Sequence, residues 1–106
     1  IWEAAAAASF LRLKNLVCIA DDNKSASHTP ELGAKFSAFG WDVIEIDGND
    51  LTQVRDAMKH SHDRPLFIWA HTVKGYGCRL MEQDPEGWHH RIITDDEYQK
   101  LMEELR

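Results

Sequence analysis

Three short runs of strand-like composition constrain the fold of this chain more than any other feature of its sequence. Residues 16–20 and 66–70 are continuous and apolar, and residues 41–46 form a third run. Continuous apolar runs of this length suit strands that are buried on both faces of a parallel sheet. Helix-like segments separate the runs, and this alternation predicts an α/β fold with a parallel sheet and crossover helices.

Two helices are predicted in the first forty residues. Residues 2–13 include five consecutive alanines and contain neither glycine nor proline, which favours a helix that packs closely against its neighbours. Thr29 is expected to cap the second helix, with Pro30 at the first helical position. That helix should run to about Phe39 and end at Gly40.

Two further helices are predicted in the rest of the chain. The third should begin after a cap at Asn49 or Asp50, because apolar residues recur at helical spacing beyond this turn. The residues Thr94-Asp95-Asp96-Glu97 form a capping box, which predicts a final helix through Leu105.

Charge and composition exclude several classes of function. The net charge is −6, and lysine and arginine form no stripe, so no nucleic-acid partner is expected. No apolar run approaches the roughly 20 residues that span a bilayer, so no membrane partner is expected either. Cys18 and Cys78 are too few and too differently placed for a disulfide scaffold, which favours a reducing, cytoplasmic setting. The opening residues lack the basic region of a signal peptide, so export is not expected. A start at Ile1 rather than at Met suggests that residues are missing upstream.

Polar residues follow the first predicted strand at the edge where parallel sheets bind ligands. Asp21, Asp22 and Asn23 come directly after the apolar run, and the carboxyl ends of parallel strands share one edge of the sheet. Carboxylate and amide oxygens are the ligands that Mg2+ prefers. The same composition is common in turns and helix caps, so the local pattern leaves both interpretations open.

A second candidate site lies in the irregular stretch Trp88-His89-His90. Either histidine could reach an anionic oxygen of a ligand or act as an acid or base. The alternative is an exposed loop in which only Trp88 packs. The Lys-Gly-Tyr-Gly segment at residues 74–77 lacks the longer glycine pattern of nucleotide-binding loops and is interpreted as a turn leaving the sheet.

These segments, taken in order, resemble the thiamine-diphosphate-binding region of transketolases, especially the amino-terminal subunit of split forms. The resemblance covers nearly the whole chain. The matching segments are Trp2-Glu3-Ala4-Ala5, Leu13-Lys14-Asn15-Leu16, Asp21-Asp22-Asn23, Lys35-Phe36, Ala38-Phe39-Gly40-Trp41, Val43-Ile44-Glu45-Ile46-Asp47-Gly48, Ala70-His71-Thr72-Val73-Lys74-Gly75, Met81-Glu82, Pro85, Trp88-His89 and Asp95-Asp96-Glu97-Tyr98.

The resemblance implies a three-layer, thiamine-diphosphate-binding-type fold, of which residues 1–106 would be part. It implies that Mg2+ is held by the side chain of Asn23 and the backbone carbonyl of Ser25, together with an aspartate of a Gly-Asp-Gly element that would precede Ile1. It also implies a catalytic and cofactor-binding role for His89, near the diphosphate and the donor substrate's oxygens. Two departures from the family pattern are a shorter loop after Asn23 and His90 in place of a glycine.

The reaction implied is transfer of a two-carbon ketol unit from a ketose phosphate to an aldose, with thiamine diphosphate doing the chemistry. A pyrimidine-binding domain or subunit would supply the glutamate that activates the cofactor, in a homodimer or heterotetramer. Two alternatives remain open at this point. One is a non-catalytic remnant or interaction module, and the other is a different thiamine-diphosphate enzyme, such as a decarboxylating relative that acts on 2-oxoacids.

Overall fold

The computed structural model describes residues 1–24 and 29–105, which fall into two compact units. Residues 1–22 and 29–71 form the first, called the sheet unit here; residues 72–105, with 23 and 24, belong to the second, called the C-terminal unit. The sheet unit contains α1 (Trp2–Phe10), β1 (Val17–Asp22), α2 (Leu32–Ala38), β2 (Asp42–Asp47), α3 (Leu51–Met58) and β3 (Leu66–His71). The C-terminal unit contains α4 (Arg79–Glu82), a 3-10 helix (Gly87–His89) and α5 (Asp95–Glu104).

The predicted parallel sheet is confirmed, with strand order β1-β3-β2. Both outer strands pair with β3 in parallel, so that Asp22 and Asp47 each lie opposite His71. The central strand is almost fully buried. The expectation that the first strand is buried on both faces is wrong, because β1 lies at an edge of the sheet and Ile19 remains 55% exposed.

Each strand continues one or two residues beyond its predicted end, so Asp21 and Asp22 belong to β1 and not to a loop. The sequence interpretation ended the strand where the apolar run ends. Strand pairing, however, is made by backbone groups, and the partner strand β3 extends through His71 at the same level. Polar side chains can occupy such positions when they find partners, as Asp22 does.

Helices cover both faces of the sheet and produce the predicted three layers. On one face, α1 and α2 pack on β3, where the rings of Phe36 and Phe67 stack with centroids 3.8 Å apart. The small side chain of Ala5 lets α1 approach closely, and its carbonyl oxygen accepts a 2.9 Å hydrogen bond from Trp41 Nε1. On the other face, the described core includes Ala57 of α3, which packs with residues of β2 and β3.

The first helix ends at Phe10, three residues before its predicted end at position 13. The chain leaves the helix through Arg12, whose φ is 52°. The amide of Arg12 donates to the carbonyl of Ser9, and the amide of Leu13 donates to that of Ala8, both at 3.0 Å. This is a Schellman ending, a motif in which glycine usually occupies the left-handed position.

The second helix begins at Leu32, so the predicted start at Thr29 and Pro30 is wrong. Glu31 has a φ of 56°, which takes the chain out of the helical conformation just before α2. The predicted end at Gly40 is confirmed, and this glycine has a φ of 87°. A side chain here would be strained, and its Cβ would also lie 2.8 Å from Ser9 Oγ.

The predicted caps of the third and final helices are confirmed. Asp50 caps α3 by accepting from the amides of the next turn. Thr94 and Glu97 form the capping box of α5, in which each side chain accepts from the other residue's backbone. No helix in the ranges 1–24 and 29–105 is long and apolar enough to cross a membrane. Cys18 and Cys78 are both free thiols.

Candidate functional site

The carboxyl ends of the three strands form the sheet edge where the sequence predicts a ligand site. Asp22, His71 and Asp47 are the last residues of β1, β3 and β2, and they lie at the same level of the sheet. Asn23 comes directly after this level. Ligands of parallel α/β sheets bind beyond this edge, and Asn23 directly follows the strand end at which the sequence predicts a ligand site.

Side chains from all three strands are connected just before Asn23. Trp69 Nε1 donates a 3.0 Å hydrogen bond to Asp22 Oδ2, and His71 Nδ1 lies 3.3 Å from the same oxygen. On its other side, His71 Nε2 lies 2.6 Å from Glu45 Oε1. A neutral imidazole can donate to only one of these oxygens, whereas an imidazolium donates to both. We call Asp22, Glu45, Trp69 and His71 the edge network.

The edge network gives Asp22 a structural role. Its side chain is only 11% exposed, and its Oδ2 is engaged by Trp69 and His71. The sequence offered no signal for this, because the tryptophan and histidine are far away along the chain and are brought close by strand pairing. Asn23 is the first residue after this strand, and its role as a metal ligand stays a prediction.

The donor chemistry of Asn23 fits a hard cation, since its amide oxygen is a ligand type that Mg2+ accepts. Ser25, the second predicted ligand, lies outside the described residues. Within the described ranges, no group of three His, Cys, Asp or Glu side chains comes together in a way that could hold a metal ion. The described residues therefore fit part of a magnesium site and do not complete one.

Beyond β3, the predicted turn at residues 74–77 is confirmed. The amide of Tyr76 donates to the carbonyl of Val73, and that of Cys78 donates to Gly75. Gly75 has a φ of 76°, and a Cβ on it would lie 2.3 Å from Cβ of Met81, so the turn requires glycine here. Lys74 lies at the start of this turn, and its side chain contacts another predicted site residue.

That residue is His89, at the end of the 3-10 helix in the C-terminal unit. Lys74 Nζ lies 2.6 Å from its Nδ1 atom. The ring of His90 meets that of His89 edge-on, with centroids 4.2 Å apart. Lys74 lowers the pKa of His89 most, His90 lowers it further, and burial contributes least. The neutral imidazole is therefore favoured over the imidazolium at this position.

The neighbouring side chains hold the 3-10 helix in place. Trp88 Nε1 donates to the carbonyl of Leu80 at 3.0 Å, so the indole ties the helix to α4. The guanidinium of Arg91 lies over the Trp88 ring, 3.8 Å from its centroid, and also pairs with Glu97. A packed Trp88 was part of the alternative interpretation of this stretch as an exposed loop, and neither interpretation indicated Lys74 as a partner of His89. The sequence signal that could have indicated this contact was a lysine directly before the glycine of a turn.

Comparison with known proteins bears on this arrangement. Residues 1–105 match a family model described as the thiamine diphosphate binding domain of transketolase. The chain is 36% identical over 115 residues to one subunit of the apulose-4-phosphate transketolase from Actinobacillus succinogenes, covering 99% of this chain and 41% of that protein. It is 31% identical over 113 residues to human transketolase, covering 99% of this chain and 18% of that protein. The chain therefore spans less than half the length of these relatives.

A solved structure shows the same fold. The transketolase from Campylobacter jejuni superposes with a TM-score of 0.68 over 76% of this chain and 14% of that one, at 24% identity. At this identity the likeness concerns the fold alone. It confirms the prediction of an α/β arrangement with a parallel sheet and helices.

Proposed function

The chain belongs to the transketolase family, as its thiamine diphosphate binding domain or part of it, and on this premise we propose that it contributes to a thiamine-diphosphate-dependent enzyme. The proposed reaction transfers a two-carbon ketol unit from a ketose phosphate to an aldose. The observation that carries the proposal is the position of Asn23 directly beyond the carboxyl edge of a parallel sheet, within a family match that runs along residues 1–105.

Two groups of residues would hold the cofactor in this proposal. The amide oxygen of Asn23 and the backbone carbonyl of Ser25 would ligate Mg2+, with the remaining positions filled by the diphosphate, water and residues outside this chain. Lys74 and His89 would donate to anionic oxygens of the diphosphate or of the donor substrate. The bound cofactor would supply the carbon nucleophile and take up the electrons that the ketose releases.

The role proposed for His89 follows from its contacts. Because Lys74 occupies Nδ1, the other ring nitrogen is the one left to face a ligand. Lys74 contributes a positive charge close to the same point, and charge-assisted hydrogen bonds to phosphate oxygens are stronger than neutral ones. His89 would therefore orient substrate and cofactor oxygens, and it would act as the catalytic residue that this chain supplies.

The proposed partners are a sugar-phosphate substrate and a pyrimidine-binding domain or subunit. The relative from Actinobacillus succinogenes is itself one subunit of its enzyme, which supports the proposal that the missing groups come from a second subunit. A homodimer or a heterotetramer would provide it. The proposed location is the cytoplasm.

The experiment compares two asparagines at opposite ends of β1. In the protein assembled with its remaining segments and partner subunit, Asn23→Ala should weaken Mg2+-dependent binding of thiamine diphosphate by about tenfold or more, the effect of losing roughly 1.4 kcal/mol. Asn15→Ala changes the same side chain in the exposed turn before β1 and should leave the affinity unchanged. Isothermal titration calorimetry, with and without Mg2+, measures both.

Equal affinity of the wild-type and Asn23→Ala assemblies would show that Asn23 is no metal ligand. If the wild-type assembly binds no thiamine diphosphate at all, the proposed function is wrong. The chain would then be better explained as a folded interaction module.

A further inference from the structure

The contacts of His89 allow its neutral imidazole only one tautomer. Lys74 Nζ lies 2.6 Å from Nδ1 of His89. A lysine ammonium has three donors and no acceptor, so Nδ1 must accept this hydrogen bond and cannot carry a proton. A neutral imidazole bears one proton, which must therefore be on Nε2.

His90 adds a second constraint on the same ring. Its imidazole packs against that of His89 at 84°, with centroids 4.2 Å apart. A proton gained by His89 would place a positive charge beside the ammonium of Lys74, and protonation of both imidazoles would bring two further like charges into contact, which disfavours ionisation. The lowered pKa of His89, caused first by Lys74 and then by His90, agrees with this geometry.

Arg91, the cation two residues after His89, contacts other groups. Arg91 lies over the Trp88 ring and pairs with Glu97, and neither contact involves His89. Among the residues that the structure describes, the charged and titratable groups that act on His89 are thus Lys74 and His90. At position 90 the chain has a histidine where the family pattern has a glycine, and a glycine has no ring that could contact His89.

We infer that His90 is a positioning residue, which together with Lys74 holds His89 as the neutral tautomer whose Nε2–H donates to an oxygen of the bound ligand. The inference rests on the proposed function, because it assigns His89 to a ligand site. A donor fixed in advance needs no rearrangement when negative charge develops on the ligand's oxygen. His89 then stabilises that oxygen without first having to gain a proton.

The test is a titration of the 106-residue chain with 15N-labelled histidine, followed by two-bond proton–nitrogen correlation spectra. These spectra separate a protonated from an unprotonated ring nitrogen. The six histidines are distinguished by the loss of one set of signals in His89→Gln. Wild-type His89 should show its proton on Nε2 at neutral pH and should titrate below an ordinary histidine.

Two variants separate the contributions of the neighbouring groups. In His90→Gln the pKa of His89 should rise towards its ordinary value while the proton stays on Nε2, because Lys74 still occupies Nδ1. In Lys74→Gln the pKa should rise further, and the preference for a single tautomer should weaken. His60→Gln and Lys100→Gln remove the same side chains elsewhere and should leave the His89 signals unmoved.

Several outcomes would overturn the inference. One is a wild-type His89 that carries its proton on Nδ1 or titrates at its ordinary value. Another is a His90→Gln variant in which the His89 pKa stays unchanged while the amide spectrum stays native. If His90→Gln disturbs the fold, His90→Asn is measured in the same way, and an unchanged His89 pKa in that variant overturns the role of His90.

Failure here is distinguishable from failure of the proposed function. The tautomer is measured without cofactor, so it can be as expected in a chain whose assembly binds no thiamine diphosphate. Conversely, if His89→Gln weakens cofactor binding in the assembled enzyme but the proton lies on Nδ1, the proposed function stands and the positioning role of His90 is wrong.

Discussion

The sheet unit and the C-terminal unit are ordered by different means. In the sheet unit, stacked aromatic rings such as Phe36 and Phe67, each 1% exposed, fix the strands whose edge leads to Asn23. In the C-terminal unit, the buried apolar side chains that the structure describes are Cys78 and Leu101. Side-chain hydrogen bonds, such as that from Trp88 Nε1 to the carbonyl of Leu80, add to its order.

This difference predicts which parts of the structure should respond to pH and to single substitutions. Burial of apolar surface depends little on pH and is spread over many contacts, so the aromatic core of the sheet unit should be insensitive to pH. Capping and carboxylate contacts are individually small and lie on exposed side chains. The position of His89 should therefore respond to single polar changes that leave the sheet intact.

The largest expected effect is in the sheet unit and compares two phenylalanines. Phe67→Ala removes a ring stacked in the core and should lower the free energy of unfolding by about 3–5 kcal/mol. Phe10→Ala removes a ring that is 86% exposed and should change it by less than about 0.5 kcal/mol. Urea denaturation followed by circular dichroism measures both, and similar losses in the two variants would contradict the role given to burial.

A smaller loss of stability is expected from substituting two tryptophans, one in each unit. Trp41 Nε1 donates to the carbonyl of Ala5 in the buried core, and Trp88 Nε1 donates to that of Leu80 in a partly buried setting. Trp41→Phe should cost about 1–3 kcal/mol of global stability because it leaves a buried group without its partner. Trp88→Phe should cost about 0.5–1.5 kcal/mol.

The two losses should also appear in different places. Amide hydrogen exchange should rise throughout the sheet unit in Trp41→Phe, whereas in Trp88→Phe it should rise first around α4 and the 3-10 helix. If Trp88→Phe instead accelerated exchange in all three strands, the two units would not differ in the way described.

Much of the fold could be predicted from the sequence because apolar runs and capping residues act locally. Two helix ends show the limit of this. Gly40 marks the end of α2, since glycine adopts a positive φ readily. Arg12 makes the same kind of ending for α1 without any such signal, because backbone hydrogen bonds hold it at a φ of 52°.

The strand neighbours and the site contacts could not be predicted in this way. The apolar run of β1 shows that the strand is hydrophobic, but strand order decides that it lies at an edge with Ile19 exposed. Asn23 could be proposed as a ligand because the polar segment that contains it follows that run. The contact between Lys74 and His89 joins two irregular segments, where no periodicity indicates which residues meet.

The smallest expected effect is a pH dependence that should distinguish the two units. Hydrogen bonds from the Thr94 backbone and side chain, with the nearby Arg91, lower the pKa of Glu97. The Cys78 thiol, backbone amides and Arg79 lower that of Glu104. A carboxyl whose pKa is lower in the folded state stabilises the fold above its ordinary pKa, and this contribution disappears as the pH falls through the folded value.

Acidification below the ordinary range of glutamate should therefore increase hydrogen exchange in α5 before it affects the strands. Asp50 also has a lowered pKa, caused mainly by Gln53, so exchange in the first turn of α3 should rise as well. In Glu97→Gln the acid response at the start of α5 should shrink, because the amide no longer titrates. An equal response of β3 and α5 would contradict the comparison, since no lowered carboxyl pKa lies on the central strand in the part of the chain described.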